Sequence, residues 1–209
     1  PYGHGRIETA TTMVLGAVLA AVGVGFLWNS GLRLQNMNAL PDLHPVALGV
    51  AVLTLNNPDQ RNAMSAEMTD SWVAAIDELA ADRAVRAVVV TGQGSAFCSG
   101  GNTGWITSEP DATVDHLRAR MVPFYRAWLS IRRLEVPTIA AVNGHAIGAG
   151  LCLALACDLR YAAAGAKLGA PFVALGMHAG MAATYLLPNV VGLAHARDLL
   201  LTGRIVDAD

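Results

Sequence analysis

The sequence predicts an α/β fold built from crossover units around a mostly parallel sheet. Two observations predict this fold class: short runs of branched apolar residues alternate with helix-like amphipathic stretches, and Gly-rich turns follow two of these runs. Such alternation is typical of parallel strands connected through helices. A third observation divides the chain, because only four charged residues precede Asn57: Arg6, Glu8, Arg33 and Asp42. We therefore predict two parts of separate origin, residues 1–45 and 46–209.

The first part, residues 1–45, contains a long uncharged stretch. No residue from Thr9 to Leu32 is charged, and this stretch exceeds the roughly 20 residues that cross the hydrocarbon core of a bilayer as a helix. We therefore predict an N-terminal hydrophobic helix that could contact a membrane. A signal peptide fits less well, because the stretch is long and no small-x-small cleavage site follows it.

The first part and the residues after it, up to about Leu55, carry a resemblance to a family of transporters. The stretches PYGHGRIETATTMVLGAVLAAVGVGFLW and PDLHPVALGVAVL resemble a transmembrane helix, a loop and the next helix of the cation diffusion facilitators. That family binds metal through His-x-x-x-Asp pairs, whereas His4 and Glu8 have this spacing with a different acid. A transport path also needs several helices around polar groups. We interpret this part as a remnant or fused segment rather than a working transporter.

The second part, residues 46–209, supplies the elements of the α/β fold in order. The apolar run at 46–55 predicts a buried strand, because it is short, branched and ended by Asn56-Asn57-Pro58. Ser65 can cap a helix whose apolar residues, such as Trp72 and Ile76, have helical spacing. A Gly- and Ser-rich loop is predicted to end at Gly104. The further predicted strands are 85–91, 137–142 and 159–163, and the further predicted helices are 114–134, 149–157, 182–187 and 194–201.

Composition excludes several classes of function. A net charge of -2 gives no electrostatic case for nucleic-acid binding. The odd number of cysteines, Cys98, Cys152 and Cys157, predicts reduced thiols in a cytoplasmic protein, or a membrane-associated one if the first part is an anchor. None of them has zinc-site spacing, so we predict no metal and no separate cofactor.

Two Gly-rich turns carry the candidate chemistry. AFCSGGN (96–102) and NGHAIGAG (143–150) each follow a strand, and neither fits a phosphate-loop or dinucleotide motif. Glycine lets backbone N–H groups point at a ligand, and the second turn leads into a helix start, which favours negative charge. Two N–H groups that converge on one oxygen would stabilise an enolate. A purely structural role for either turn is the alternative.

Four stretches of the second part carry a wider resemblance. They are VAVLTLNNPDQRNAMS, VVVTGQGSAFCSGGN, VPTIAAVNGHAIGAGLCLALACDLRYA and the segment from KLGAP to LLLTGRIVDA. In order and spacing they resemble the crotonase (enoyl-CoA hydratase/isomerase) family. The resemblance implies a crotonase-like superhelix of ββα units, an acyl-CoA ligand with coenzyme A as part of the substrate, and a homotrimer or hexamer. A usual member continues into C-terminal helices, so we expect a C-terminally truncated domain here.

The resemblance also assigns site residues by position. The oxyanion donors would be the N–H groups of Gly101 and Ala149, where alanine replaces the usual glycine and keeps the N–H if its φ is compatible. Arg61 would approach the phosphates of coenzyme A, or else be a solvated loop charge. The substrate-binding positions implied are Arg61, Ala63, Ser99, Gly100 and Gly148.

Two positions depart from the family pattern. Hydratases of the family use two glutamates to position and activate water, and these positions are Cys152 and Phe172 here. Phenylalanine cannot transfer a proton, and a buried thiol is a poor base unless a cation or helix start lowers its pKa. General acid–base catalysis contributes about 10²- to 10⁴-fold, so we expect standard hydration to be weak or absent.

His178 is the predicted replacement for the missing acid–base groups. Histidine titrates near neutral pH, and dehalogenases and naphthoate synthases of the family carry acids one or two positions further on, at Ala179 and Gly180 here. A structural role for His178 is the alternative. Three function hypotheses remain open: an acyl-CoA enzyme with an atypical acid–base set, a non-catalytic acyl-CoA-binding protein, and a membrane-anchored or transporter-derived fragment.

Other polar residues near the turns are assigned structural roles. His145 is expected to pack or to bond the backbone, and Cys98 to be a small core residue. Glu109 and Asp111 are expected to lie in a solvated loop.

Overall fold

A computed structural model describes residues 49–102, 104 and 108–208 of the chain. These residues belong to the unit Pro45–Asp209. The hydrophobic helix predicted between Thr9 and Leu32 lies outside the described residues. Within the described ranges, no helix combines the length and the apolar character needed to cross a bilayer.

The described residues form strands and helices that alternate as the sequence predicts. The strands are β1 (Val50–Leu55), β2 (Ala87–Gly92), β3 (Ala96–Cys98), β4 (Thr138–Val142), β5 (His145–Ile147), β6 (Leu159–Ala162), β7 (Lys167–Gly169) and β8 (Ile205–Asp207). The α-helices are α1 (Ala66–Ala81), α2 (Val114–Trp128), α3 (Ala149–Ala156) and α4 (Ala183–Thr202). Short 3-10 helices cover Pro58–Gln60, Leu129–Arg133 and Pro171–Leu175.

The strands form two four-stranded sheets, with the orders β1-β2-β4-β6 and β3-β5-β7-β8. Every neighbouring pair is parallel except β7 and β8, which are antiparallel. Each of the pairs β2–β3, β4–β5 and β6–β7 contributes one strand to each sheet, and a helix follows each pair. This is the repeated ββα unit that the resemblance implies, and the mostly parallel α/β class is confirmed.

The second sheet is the main difference from the sequence prediction. Its strands have only three residues each, which is too short for a periodic pattern to distinguish a strand from a turn. The predicted loop ending at Gly104 is therefore wrong for residues 96–98. The predicted helix 114–134 is α-helical only to Trp128 and continues as a 3-10 turn. The two helices predicted at 182–187 and 194–201 belong to α4, which breaks at Gly192 (φ 78°, ψ 162°).

The core surrounds α3, all eight residues of which are buried. This helix packs against β3, β4, β5 and α4, so its sequence needs no polar face. The predicted cap of α1 is confirmed, since the Ser65 side chain accepts a hydrogen bond from the Met68 N–H. Trp72 of α1 and Trp128 of α2 stack with ring centroids 5.0 Å apart. The tryptophan stack holds α1 and α2 together.

Candidate active site

The two Gly-rich turns meet because the strands before them are neighbours. β3 and β5 pair in parallel, with Ala96 opposite His145, so both strands end at the same edge of the sheet. Gly100 lies directly against the second turn: a Cβ atom there would be 2.7 Å from the Ile147 carbonyl oxygen and 3.2 Å from the Ala149 nitrogen. The φ of Gly100 is 92°. Close approach and backbone conformation therefore both require glycine at this position.

The backbone of the first turn directs the Gly101 N–H away from the loop that contains Met64. The Gly100 carbonyl oxygen accepts a hydrogen bond from the Met64 N–H at 2.8 Å. In a trans peptide the C=O and the following N–H point in opposite directions, so the Gly101 N–H points away from Met64.

The second turn supplies another N–H at the start of a helix. Ala149 is the first residue of α3, so its N–H has no acceptor within the helix. Ala149 does not have a positive φ, so its methyl group adds no backbone strain. The φ of Ala149 is therefore compatible with a free N–H at this position.

Two further glycines allow the close packing of these turns. A Cβ atom on Gly150 would overlap the carbonyl group of Cys98, and a Cβ atom on Gly144 would overlap that of Ser95. Neither glycine has a positive φ. Their role is therefore steric, and it sets the distance between the two turns.

Asn62 is a structural residue of the site that the sequence did not single out. It is fully buried and has a left-handed φ of 56°. Its Oδ1 accepts a hydrogen bond from the Asn57 N–H, and its Nδ2 donates to the carbonyl oxygens of Gln93, Ala96 and Phe97 at 2.8–3.2 Å. Asparagine tolerates a left-handed φ, which is the one local signal in the sequence. The side chain fixes the loop after β1 against β3.

The predicted substrate-binding positions in the first turn and this loop lie together. The Ser99 N–H donates to the Arg61 carbonyl oxygen at 3.0 Å, and the Ser99 hydroxyl donates to the Gln60 carbonyl oxygen at 3.3 Å. Arg61 is exposed and Ala63 is half-buried. Gly100 lies between this loop and the turn that contains Gly148.

A cavity of about 440 Å³ opens between α1 and α2 beside the first turn. Met64, which pairs with Gly101, and Asn102, which follows Gly101 in the chain, both line it. Phe124 and Ala127 of α2 contribute apolar surface on the opposite side. The cavity therefore provides room for a partly apolar ligand beside the loop that carries Gly101.

Cys152 and Phe172 are the positions to which the resemblance assigns the two glutamates, and neither side chain is a carboxylate. Cys152 lies one helical turn after Ala149, is fully buried, and donates from Sγ to the Gly180 carbonyl oxygen at 3.7 Å. Burial raises the pKa of the Cys152 thiol to about 12, so the thiolate is scarce at neutral pH. The Phe172 ring comes within 3.9 Å of the position that a Cβ on Gly148 would occupy. Phe172 therefore forms an apolar wall beside the second turn.

Among the described residues, no hydrogen bond or ion pair joins His178, the predicted base, to the two turns. His178 is exposed in the segment between the 3-10 helix Pro171–Leu175 and α4. Within the described ranges it makes no hydrogen bond or ion pair. Its proposed role as a base stays a prediction, with no contact that favours it.

The remaining polar residues have structural contacts. The exposed His145 accepts a hydrogen bond at Nδ1 from the Lys167 N–H at 3.1 Å, as expected for a residue that bonds the backbone. Glu109 is exposed and forms ion pairs with His116 and Arg120, each at 2.7 Å. Cys98 is fully buried and donates to the Asn62 carbonyl oxygen at 3.0 Å. The expectation that Cys98 is a core residue is confirmed.

Because three thiols are buried, we predict that the free energy of unfolding falls at alkaline pH. Burial raises the pKa values of Cys98, Cys152 and Cys157 from 9.0 to about 12. Between these values the unfolded chain loses thiol protons that the folded chain keeps, so stability is full below pH 9 and falls as the pH rises toward 12. The fall is about 1.4 kcal/mol per pH unit for each thiol.

Urea unfolding followed by circular dichroism between about pH 8 and pH 11 measures this slope. In the variant Cys98→Ala, the free energy of unfolding should fall less steeply with pH, by the contribution of one thiol, about 1.4 kcal/mol per pH unit. An equal slope in the variant and the parent protein would contradict the assignment of the effect to the buried thiol.

Comparison with known proteins defines the class to which this fold and site belong. Residues 46–209 match the family model for enoyl-CoA hydratase/isomerase, and the chain belongs to this family. Over 169 residues it is 43% identical to a probable enoyl-CoA hydratase, EchA14, of Mycobacterium tuberculosis, covering 81% of this chain and 65% of the relative. Over 159 residues it is 40% identical to a putative enoyl-CoA hydratase of Thermus thermophilus, covering 76% and 62%.

Solved structures support the same class. A probable enoyl-CoA hydratase/isomerase from Mycobacterium abscessus has a TM-score of 0.68 at 41% identity, covering 78% of this chain and 62% of its own. An enoyl-CoA hydratase from Polaromonas sp. JS666 has a TM-score of 0.70 at 33% identity, covering 77% and 62%. The chain thus spans less than two thirds of the length of these proteins. Nothing in these comparisons supports the resemblance of residues 1–55 to cation diffusion facilitators.

Proposed function

We propose that this chain binds an acyl-CoA thioester and stabilises its enolate in an oxyanion hole. The two donors in this proposal are the N–H groups of Gly101 and Ala149. The observation that carries it is the contact between the two turns, in which Gly100 lies against the Ala149 nitrogen. Two fixed N–H groups aimed at a developing negative oxygen lower the free energy of the transition state without reorganisation of solvent.

The proposed position of the acyl group is the cavity between α1 and α2. Its lining combines apolar side chains, such as Phe124 and Pro123, with polar groups near Gly101. A cavity of about 440 Å³ lies within the usual size range of small-molecule sites. The exposed Arg61 would meet a phosphate of coenzyme A at the entrance. Assembly as a trimer or hexamer and location in the cytoplasm stay predictions.

The proposed reaction is enolate chemistry of the hydratase/isomerase type with an atypical acid–base set. Cys152 and Phe172 stand where hydratases of the family have glutamates, and the pKa of Cys152 is raised rather than lowered by its surroundings. A protonated thiol cannot activate water. We therefore expect hydration of crotonyl-CoA at a rate far below that of a glutamate-containing family member.

A non-catalytic acyl-CoA-binding protein is the second candidate. Cys152 and Phe172 favour this candidate, because neither side chain transfers a proton readily. An oxyanion hole can still hold a thioester carbonyl without proton transfer. Tight binding of butyryl-CoA in calorimetry, together with no conversion of any acyl-CoA tested, would select this candidate over the enzyme.

Replacing Ala149 by proline tests the oxyanion hole. Proline has no N–H but is tolerated at the first position of a helix, so Ala149→Pro removes the proposed donor without removing a hydrogen bond within α3. We expect turnover of acyl-CoA substrates to fall by about 10²- to 10³-fold. Steady-state kinetics of the full chain measure the effect, and circular dichroism checks the fold.

Val114→Pro is the matched control. Val114 is the first residue of α2, is 81% exposed, and follows an extended Thr113, so the same substitution is made at a helix start outside the proposed site. We expect it to keep the parent rate and affinity. If Ala149→Pro were as active as Val114→Pro, Ala149 would not be an oxyanion donor.

A further inference from the structure

Tyr125 brings a hydroxyl group to the part of the site that lacks acid–base residues. It lies on α2 and is half-buried. Its hydroxyl oxygen packs so closely on Gly180 that a Cβ atom on Gly180 would overlap both Oη and Cζ. The phenol thus occupies the space into which a side chain at position 180 would project.

Gly180 connects this hydroxyl to the start of α3. Its carbonyl oxygen accepts a hydrogen bond from Cys152 Sγ at 3.7 Å, and Cys152 lies three residues after Ala149, about one helical turn along α3. Tyr125 follows Phe124, which lines the proposed acyl cavity, and the two ring centroids are 5.8 Å apart. The Tyr125 hydroxyl therefore lies beside the residue that bonds Cys152 of α3, the helix that begins with the proposed donor Ala149.

No neighbouring side chain in this set can exchange a proton as readily. Phe172 has no ionisable group, Gly180 has no side chain, and His178 is exposed. Cys152 is fully buried with a raised pKa. Burial, and to a smaller extent the nearby Cys152, raise the pKa of Tyr125. The phenol is therefore protonated at neutral pH and can act as a donor.

We propose that Tyr125 is the proton donor of this site and protonates the α-carbon of a thioester enolate. This inference rests on the proposed function. In the step, the O–H bond of Tyr125 breaks, a C–H bond forms at the α-carbon from the enolate electron pair, and the thioester C=O is restored. The resulting phenolate takes a proton from water, which can reach the half-buried ring. In the reverse direction the phenolate, which forms at alkaline pH because burial raises the pKa of Tyr125, removes an α-hydrogen from a saturated acyl-CoA.

The reverse step predicts an activity that needs no hydration. In D₂O at alkaline pH, where the phenolate forms, the full chain should exchange the α-hydrogens of butyryl-CoA for deuterium faster than the uncatalysed reaction, as followed by mass spectrometry. Tyr125→Phe keeps the ring and removes only the hydroxyl. We expect it to lower the exchange rate by at least about 100-fold and to leave the affinity for butyryl-CoA within about threefold.

Tyr185→Phe is the matched control, because Tyr185 is 61% exposed and its ring lies 5.9 Å from the Arg132 guanidinium. It should exchange at the parent rate. Parent-like exchange in Tyr125→Phe would overturn the inference, as would a folded Tyr125→Phe protein that has lost affinity for butyryl-CoA. A parent chain that binds butyryl-CoA without exchange overturns the inference alone, whereas one that does not bind overturns the proposed function as well.

A second measurement avoids dependence on the folding of the variant. Replacing tyrosine by 3-fluorotyrosine lowers the pKa of the phenol with little change in shape. If Tyr125 transfers the proton, the pH profile of α-hydrogen exchange should move to lower pH in the fluorinated protein. An unmoved profile would overturn the inference.

Discussion

Replacing Gly150 by alanine is expected to abolish binding of butyryl-CoA and to lower the free energy of unfolding by about 3 kcal/mol. The added Cβ would overlap the Cys98 carbonyl oxygen and lie 2.8 Å from the Cys98 carbonyl carbon. Both partners are backbone, so no side chain can rotate away to relieve the overlap. The first turn would have to move away from Ala149, and the two proposed donors would separate. Calorimetry measures the binding and urea unfolding measures the stability.

Gly165→Ala separates this steric effect from the general cost of replacing a glycine. No atom lies within 4 Å of a Cβ on Gly165, but its φ is 75°, so alanine there costs about 1–2 kcal/mol in backbone strain. Binding should be unchanged. A Gly150→Ala protein that binds butyryl-CoA as well as Gly165→Ala would show that the contact between the turns is not needed for the site.

The sequence predicts the elements of this fold that depend on local chemistry. Ser65 caps α1 as expected, and the eight-residue α3 is apparent from its run of small and apolar residues. The short strands β5 and β7 are not apparent, because three residues carry no periodic signal and pairing with distant strands stabilises them. Gly-rich composition predicts the two turns, but their contact depends on the pairing of β3 with β5.

The same distinction applies to the candidate site. The positions of Gly101 and Ala149 follow from the motifs, because backbone donors need only the turn. The importance of Asn62 and Tyr125 does not, since Asn62 bonds residues 31–35 positions away and Tyr125 packs on Gly180 from another helix. Long-range contacts of this kind leave no local pattern. The exposure of His178 likewise could not be predicted from its residue type.

The proposed oxyanion turns and the proposed acid–base positions place different demands on the sequence. Main-chain N–H groups tolerate changes of side chain, such as alanine at position 149, provided that glycines such as Gly150 and Gly100 keep the turns in contact. Proton transfer depends on side chains that can be replaced without altering the fold. A family member can therefore keep the chemistry of the enolate while it changes the group that exchanges the proton.

Asn62→Asp is expected to lower the free energy of unfolding by about 3–5 kcal/mol, although the two side chains have the same shape. The amide nitrogen of Asn62 donates to three carbonyl oxygens in a buried setting. An aspartate oxygen would instead place an acceptor against these three acceptors. Removal of a buried donor costs more than the hydrogen bonds contributed, because the partners remain desolvated. Urea unfolding at neutral pH measures the loss.

The matched control is Asn189→Asp on the exposed side of α4. The Asn189 amide also donates to a backbone carbonyl, that of Tyr185 at 2.9 Å, but water can replace it there. We expect a change of about 0.5 kcal/mol or less. Because Asn62 fixes the loop of Arg61 and Ala63 against β3, Asn62→Asp should also weaken binding of butyryl-CoA. Equal stability of the two variants would mean that the Asn62 hydrogen bonds do not hold the first turn in place.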